Sequence, residues 1–413
     1  MRPLRLLALC AASGCAWLAG QQLFDSVPGS ALLFHTSDIA VLGGDSNRHD
    51  IDCHVEPLRP RLNFDLKYTA GYAVKLPAAA VAASGERLRV LFRVQPLGGG
   101  ALPPVYFRQA FDVPARKPGD DGDAWYQGRY FLGPGRYKVD WLMRNMQGRV
   151  CSAHWRTHAP RPGYGGRPAA AAAPNLVAPY LLDTFEDEPP VARDAGIAGG
   201  LHVLMLVNLS PLERSRFKLS EYELDSLVGM LRSLHREPSI GLFSLTAFSA
   251  YDRRVVYEAK RQTRLDFPAL GAAVGTAPVG VVEIDALADE DGEQRFLAGL
   301  INAALAPAAD RPDAVVVLGL KVDRDAIIPK EMIDVAGAGS ALFRFAFNRN
   351  PLSYPWPGAI EAALAPLGLT VYSITRPQDF TRAVAGLLDA IEGGQPAGPP
   401  ATRPRAARPP DPP

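Results

Sequence analysis

Two short constellations in this 413-residue chain carry side chains able to do chemistry. The first is Val207-Asn208-Leu209-Ser210-Pro211-Leu212, which closes an apolar run from Leu201 to Val207. An amide and a hydroxyl two residues apart are oxygen donors suited to a hard cation such as magnesium, provided an anionic carboxylate completes the set. Asn208 is neutral. Asp323 or Asp325, after a second apolar run at Ala314 to Leu320, offers the missing carboxylate. The ligand count without it predicts no metal and no cofactor. Glu283 and Asp285 close a third run, Val279 to Ile284, and face the same edge as Ser210. That gives an alternative chemistry, a hydrolase using Ser210, Glu283 and Asp323, set against the plainer reading of polar strand ends.

The second constellation is cysteine and histidine. Cys10 and Cys15 fall in the N-terminal apolar run, which leaves Cys53 and Cys151. An even pair in an oxidising compartment reads as one disulfide. Cys151-x-x-His154 has the spacing of a zinc site, but adjacent Cys53 and His54 cannot easily aim at one metal, so Cys53–Cys151 is the expectation. No Gly-x-Ser-x-Gly elbow, His-Glu-x-x-His or phosphate-binding loop occurs. Gly337-Ala338-Gly339-Ser340 reads as a loop before a strand. His202 opens a strand and His235 closes a helix, where the dipole favours it structurally.

Composition places these groups in a globular frame. The balance of 44 basic to 43 acidic residues gives no overall pull toward nucleic acid or anionic membrane. A hydrophobic fraction of 47% is ample for cores, and the length suggests about two or three domains. Met1-Arg2-Pro3-Leu4-Arg5 followed by Leu6 to Gly20 has the form of an export signal over residues 1–20. Cleavage near Ala19 or Gly20 would release a periplasmic or secreted protein. Ala12-Ser13-Gly14-Cys15 is a weak lipobox that would instead anchor a lipid at Cys15, and an uncleaved anchor stays open.

Residues 32–157 alternate with period two: Leu62/Phe64/Leu66/Tyr68, Leu88/Val90/Phe92/Val94 and Tyr137/Val139/Trp141/Met143. With glycine-rich turns between them, such strands predict an all-β sandwich. Leu132 to Val139 resembles the tyrosine corner of immunoglobulin-like folds, with Tyr137 as the phenol. A plain hairpin explains it about equally well, and no cysteine stands at Val139. Residues 158–194, rich in Pro, Ala and Gly, predict an exposed linker open to trypsin. From 195 to 392 apolar strands alternate with helices, which predicts a doubly wound α/β domain of Rossmann type. Ser220-Glu221-Tyr222-Glu223 is a capping box opening its first helix, with Leu219 and Leu224 as the hydrophobic staple. Residues 393–413, rich in Pro, Ala and Arg, predict a disordered tail.

The strand, the Asn208 loop and the capped helix together resemble a von Willebrand factor A domain. In that family the loop carries Asp-x-Ser-x-Ser. Here Asn208 takes the Asp place, Ser210 matches the first Ser and Leu212 replaces the second. Phe343-Arg344-Phe345 through Asn350 and Tyr354-Pro355-Trp356 are similar to segments of exported bacterial von Willebrand factor A-related proteins with no assigned activity. The resemblance implies a fold and an exported location, and no catalytic residues. The resulting expectation is a two-domain, non-catalytic protein-interaction or envelope-assembly module. Its partner is a protein, not nucleic acid. Binding falls on Asn208, Ser210, Tyr251 and Trp356, with Tyr354 nearby.

Overall fold

The alternating segments pair into two antiparallel sheets. In chain order the elements are β1 (Gln22–Phe24), α1 (Thr36–Gly43), β2 (His54–Leu62), β3 (Tyr68–Leu76), β4 (Glu86–Pro96), β5 (Val105–Val113), β6 (Ala124–Leu132), β7 (Gly135–Arg144) and β8 (Val150–Ala159). A small hairpin, β9 (Gly163–Tyr164) and β10 (Arg167–Pro168), and the strand β11 (Val177–Pro179) follow. One sheet runs β1-β5-β4-β7-β8 and the other β11-β6-β3-β2. The computed structural model describes residues 22–24, 36–44, 46–80, 85–98, 100, 102–115, 122–180, 183–193, 200–213, 215–276, 289, 291–306, 311–321, 327–334, 339–348 and 357–393. The expected export segment with Cys15, the strand expected at Val279 to Ile284 with Glu283 and Asp285, Asp323, Asp325, Tyr354, Trp356 and the tail beyond Gly393 lie outside these.

The inward faces of both sheets meet in an aromatic core. Tyr72 packs edge-on against Phe92 and Trp141, with ring centroids 5.5 and 5.3 Å away, an arrangement favoured by the ring quadrupoles. Tyr137 donates its hydroxyl to the Gly133 carbonyl at 2.7 Å, tying the strand to the turn that precedes it. Cys53 and Cys151 are disulfide-bonded. Cys53 precedes β2 and Cys151 lies in β8, the edge strands of the two sheets, so the bridge closes one open side of the pair.

The remaining strands form a six-stranded mixed sheet ordered β14-β13-β12-β15-β16-β17. These are β12 (Leu201–Asn208), β13 (Ile240–Ser249), β14 (Arg254–Gln262), β15 (Ala314–Gly319), β16 (Ala341–Phe347) and β17 (Thr370–Ile374). All neighbours are parallel except β13 and β14. The strands are apolar throughout because helices cover both faces. Val203, Met205 and Val207 join one core with α2 (Glu221–His235), α3 (Phe267–Thr276) and α6 (Pro377–Glu392). Leu206, Val315 and Val317 join the other with α4 (Gly292–Leu305) and α5 (Ala359–Leu364). The Ser220–Glu223 capping box forms as the spacing predicts. Burial works to raise the Glu223 pKa, but hydrogen bonds from Arg216 and Ser220 outweigh it and bring it down to about 2.

The described part of 158–194 is docked, which corrects the expectation of an exposed tether. Glu188, only 5% exposed, accepts from Arg232 of α2 at 2.7 Å. Arg193 donates to the carbonyls of His235 and Glu237. Arg167 reaches Asp389 and Glu392 of α6. The β2–β3 turn also inserts into the mixed-sheet unit: Phe64 and Leu66 belong to its core, and Ser233 donates to the Phe64 carbonyl at 3.0 Å. Gly229 in the middle of α2 makes room, since a Cβ there would lie 2.9 Å from the Asp65 nitrogen. The period-two pattern that placed Phe64 in a strand could not show which core it enters. Proline and alanine content says nothing of a buried Glu188.

Candidate functional site

The carboxyl ends of the parallel strands form the rim where a doubly wound sheet presents ligand groups. Here β12 and β13 stop at Asn208 and Ser249, and β15 at Gly319. Gly319 adopts φ +135°, and a Cβ on it would lie 2.6 Å from the Asn208 carbonyl oxygen. Glycine therefore lets β15 end hard against β12. The chain then turns so that the Leu320 carbonyl accepts from Asn208 Nδ2 at 3.2 Å and from Arg344 Nη2 at 2.9 Å.

Asn208 and Ser210 are each 1% exposed. Asn208 Oδ1 accepts from the Ser210 amide at 3.0 Å. Ser210 Oγ accepts from the amides of Ala250 at 2.8 Å and Tyr251 at 3.4 Å, and lies 3.5 Å from Ser249 Oγ. Ser249 in turn donates to Asp252 at 2.8 Å and accepts from its amide, a local turn closure. The amide of Asn208 is thus spent on both its ends, and the hydroxyl of Ser210 faces backbone donors. This donor set does not fit a divalent cation, which needs open, anionic oxygens. Its chemical capacity is to lock the loops after β12 and β13 together.

Beneath the rim lies a buried ion pair that neither the period nor the motifs signalled. Arg344, on β16, is 1% exposed and bonds Glu361 of α5 at 2.9 Å. Its remaining donors reach the carbonyls of Val317, Leu320 and Phe345. Glu361 also accepts from the Gly358 amide at the start of α5. The sequence signal is a single arginine within an otherwise apolar strand. Burial, opposed by Glu361 and aided by Arg344, holds the neighbouring Lys321 ammonium below its ordinary pKa.

Of the residues expected to bind, the structure brings Asn208, Ser210 and Tyr251 together, yet none faces outward as a ligand group. Tyr251 is half-buried and donates to the Leu212 carbonyl at 3.1 Å. The exposed aromatics in the segment that follows β12 are instead Phe217, 70% exposed, in the loop, and Tyr222, 51% exposed, in the first turn of α2. A phenylalanine between Arg216 and Lys218, outside any apolar period, was the available signal. His154 does not join the cysteines: its Nδ1 bonds Asp140 at 2.7 Å. His49 sits beside them, but the two sulfurs are bonded to each other and offer no thiolate. Among the Ser210, Glu283 and Asp323 of the hydrolase reading, only Ser210 is described, and its hydroxyl has no general base within the contacts above.

The rim predicts a specific response. Asn208→Asp replaces the Nδ2 donor to Leu320 with a buried acceptor and should cost about 2 kcal/mol or more. Added magnesium or manganese should leave the melting temperature of both proteins unchanged. A saturating metal-dependent rise in thermal scans would show that the ligand set has been misjudged.

No protein-family model matches the chain, and no curated protein matches it in sequence. Among solved structures it is similar at TM-score 0.17 to a Listeria innocua beta-glucosidase in complex with glucose, with 9% identity over 26% of this chain and 16% of that one. A Pseudomonas fluorescens alkylpurine DNA glycosylase, AlkC, matches at TM-score 0.17 with 14% identity, over 25% of this chain and 30% of the other. Bacteroides uniformis beta-glucuronidase 2 matches at TM-score 0.18 with 10% identity, over 76% and 38%. This chain therefore spans well under half the length of each of these. Likenesses at this level carry no argument about fold family or activity.

Proposed function

We propose that this chain is an exported, non-catalytic binding protein whose mixed-sheet unit is a von Willebrand factor A-like module without its metal centre. One observation carries the reading: the polar side chains at the rim are consumed in holding its loops, while Phe217 and Tyr222 stand exposed on the same edge. Aromatic anchors ringed by polar residues are the usual energetic centres of protein interfaces. The strand order and the Asn208-x-Ser210 loop after a central strand support the A-domain likeness. The Tyr137–Gly133 bond supports an immunoglobulin-like reading of the two-sheet unit. The export signal in residues 1–20 supports a periplasmic or secreted location, with Cys15 as an alternative lipid anchor. Among the described residues no helix is long and apolar enough to cross a membrane.

The test is capture of a protein partner from the envelope fraction of the source cells. Phe217→Ala with Tyr222→Ala should weaken capture at least tenfold, with the melting temperature held. Equal capture by the double variant would move the binding surface elsewhere.

A further inference from the structure

The outer face of the five-stranded sheet concentrates positive charge that the chain as a whole does not have. Residues directly opposite one another in antiparallel strands share a face. The register therefore puts Arg89 opposite Arg144, Lys138 opposite Arg156 and Arg136 opposite His158, all facing away from the aromatic core. Like charges set directly across a strand pair destabilise it. The acidic groups on this face are few. Asp140 is fully buried, held between Arg93 at 2.6 Å and His154, with the Lys138 ammonium 3.3 Å away. Asp112 pairs with Arg87, and Asp38 of α1 pairs with Arg144. Arg89, Arg136, Arg156 and His158 are exposed with no acidic partner among the described residues.

Two grooves mark the ends of the face. One, about 290 Å³, is lined by Arg87, Arg89 and Arg108. The other, about 410 Å³, is lined by Arg136, Arg156 and His158 with Leu97. From Arg136 to Arg144 the strand extends about 27 Å, at about 3.4 Å per residue. Between the grooves α1 lies on Leu91 and Leu142 through Leu42, and its Ile39 is 49% exposed.

We propose that this face is a contact surface for anionic phospholipid headgroups. Charge complementarity selects a phosphate-rich surface, which arginine binds in bidentate fashion. The position of the N-terminal strand selects a membrane over other polyanions. β1 pairs with β5 at the edge of this same sheet, Gln22 opposite Arg108, so an anchor retained ahead of Gln22 would enter the chain beside the Arg87–Arg89–Arg108 groove. A single apolar or lipid anchor gives marginal attachment, and a basic patch is the standard second signal. The choice of a membrane rests on the alternative within the export reading in which the N-terminal run stays uncleaved or Cys15 carries a lipid, but the binding of the basic face itself does not depend on it.

The full chain is tested by co-sedimentation with vesicles of phosphatidylglycerol and phosphatidylcholine, against vesicles of phosphatidylcholine alone. Tighter binding to the anionic vesicles, weakening as salt rises, is expected. Each neutralised arginine should cost about fivefold, so Arg89→Gln with Arg156→Gln should bind roughly 25-fold more weakly. Lys260→Gln, off this face, should bind as the parent does. Arg156→Glu supplies the decisive sign. It places a carboxylate opposite Lys138, so it should weaken vesicle binding while its melting temperature stays level or rises, which separates lost binding from lost folding. Equal binding to both vesicle types, parent-like binding by the arginine variants, or retention by heparin without vesicle binding would each overturn the proposal. A failure of partner capture at Phe217 and Tyr222 leaves this result untouched.

Discussion

Replacing Arg344 with methionine should lower the unfolding free energy by about 3–5 kcal/mol, read from urea denaturation with an unchanged slope. The side chain is deep in the α4–α5 face of the mixed sheet, 1% exposed, and its partner Glu361 is 5% exposed. Methionine fills a similar volume but leaves a buried carboxylate without its counter-charge. That is the costly half of breaking a buried pair, since the Coulomb gain of forming one is largely offset by desolvation. Arg344→Met combined with Glu361→Gln should therefore recover part of the loss, because the stranded charge is gone. Recovery should stay incomplete: the Val317 and Leu320 carbonyls would still lack the donors that Arg344 supplies. If the single variant melted like the parent, the pair would hold nothing together and the rim would need another organiser.

The second large effect is expected at the disulfide. Cys53→Ala with Cys151→Ala should destabilise the two-sheet unit by about 2–5 kcal/mol, and reductant on the parent should do the same. The bond closes a chain segment with sequence separation 98. It joins the residue just ahead of the edge strand β2 to the edge strand β8, beside the isolated antiparallel bridge of His49 with Cys151. The constraint falls mainly on the unfolded chain, which loses the freedom of a long loop. Intact mass after alkylation, with and without reductant, reports the bond directly. Two alkylated thiols in the unreduced protein, or a urea midpoint indifferent to reductant, would contradict the expectation.

The rim at the ends of β12 and β13 is legible in the sequence only in part. Its loop was found from Asn208 and Ser210, because an amide and a hydroxyl at a strand end are visible as residue types. Their role was not, because it depends on three backbone partners brought from Leu320, Ala250 and Tyr251. Tyr251, a residue type expected to bind, is a half-buried donor to the Leu212 carbonyl, while Phe217, in a polar loop, is exposed.

By itself the sequence determined the periods and the punctuation. Alternation of two made β4 and β7 strands with one buried face. Unbroken apolar runs made β12 and β15 central strands, and Ser220 with Glu223 started α2 where the capping box requires. An even cysteine pair pointed to the bridge. These are local or pairwise properties, carried by spacing along the chain. Tertiary structure alone decided the rest. Phe64 enters the core of the other unit, Glu188 is buried against Arg232, Arg344 finds Glu361 across a strand–helix layer, and the Lys138–Arg156 and Arg136–His158 pairs turn scattered basic residues into one charged face. Each depends on which segments become neighbours and in what register. Burial and charge pairing are settled by that packing, and no short window of residues records it.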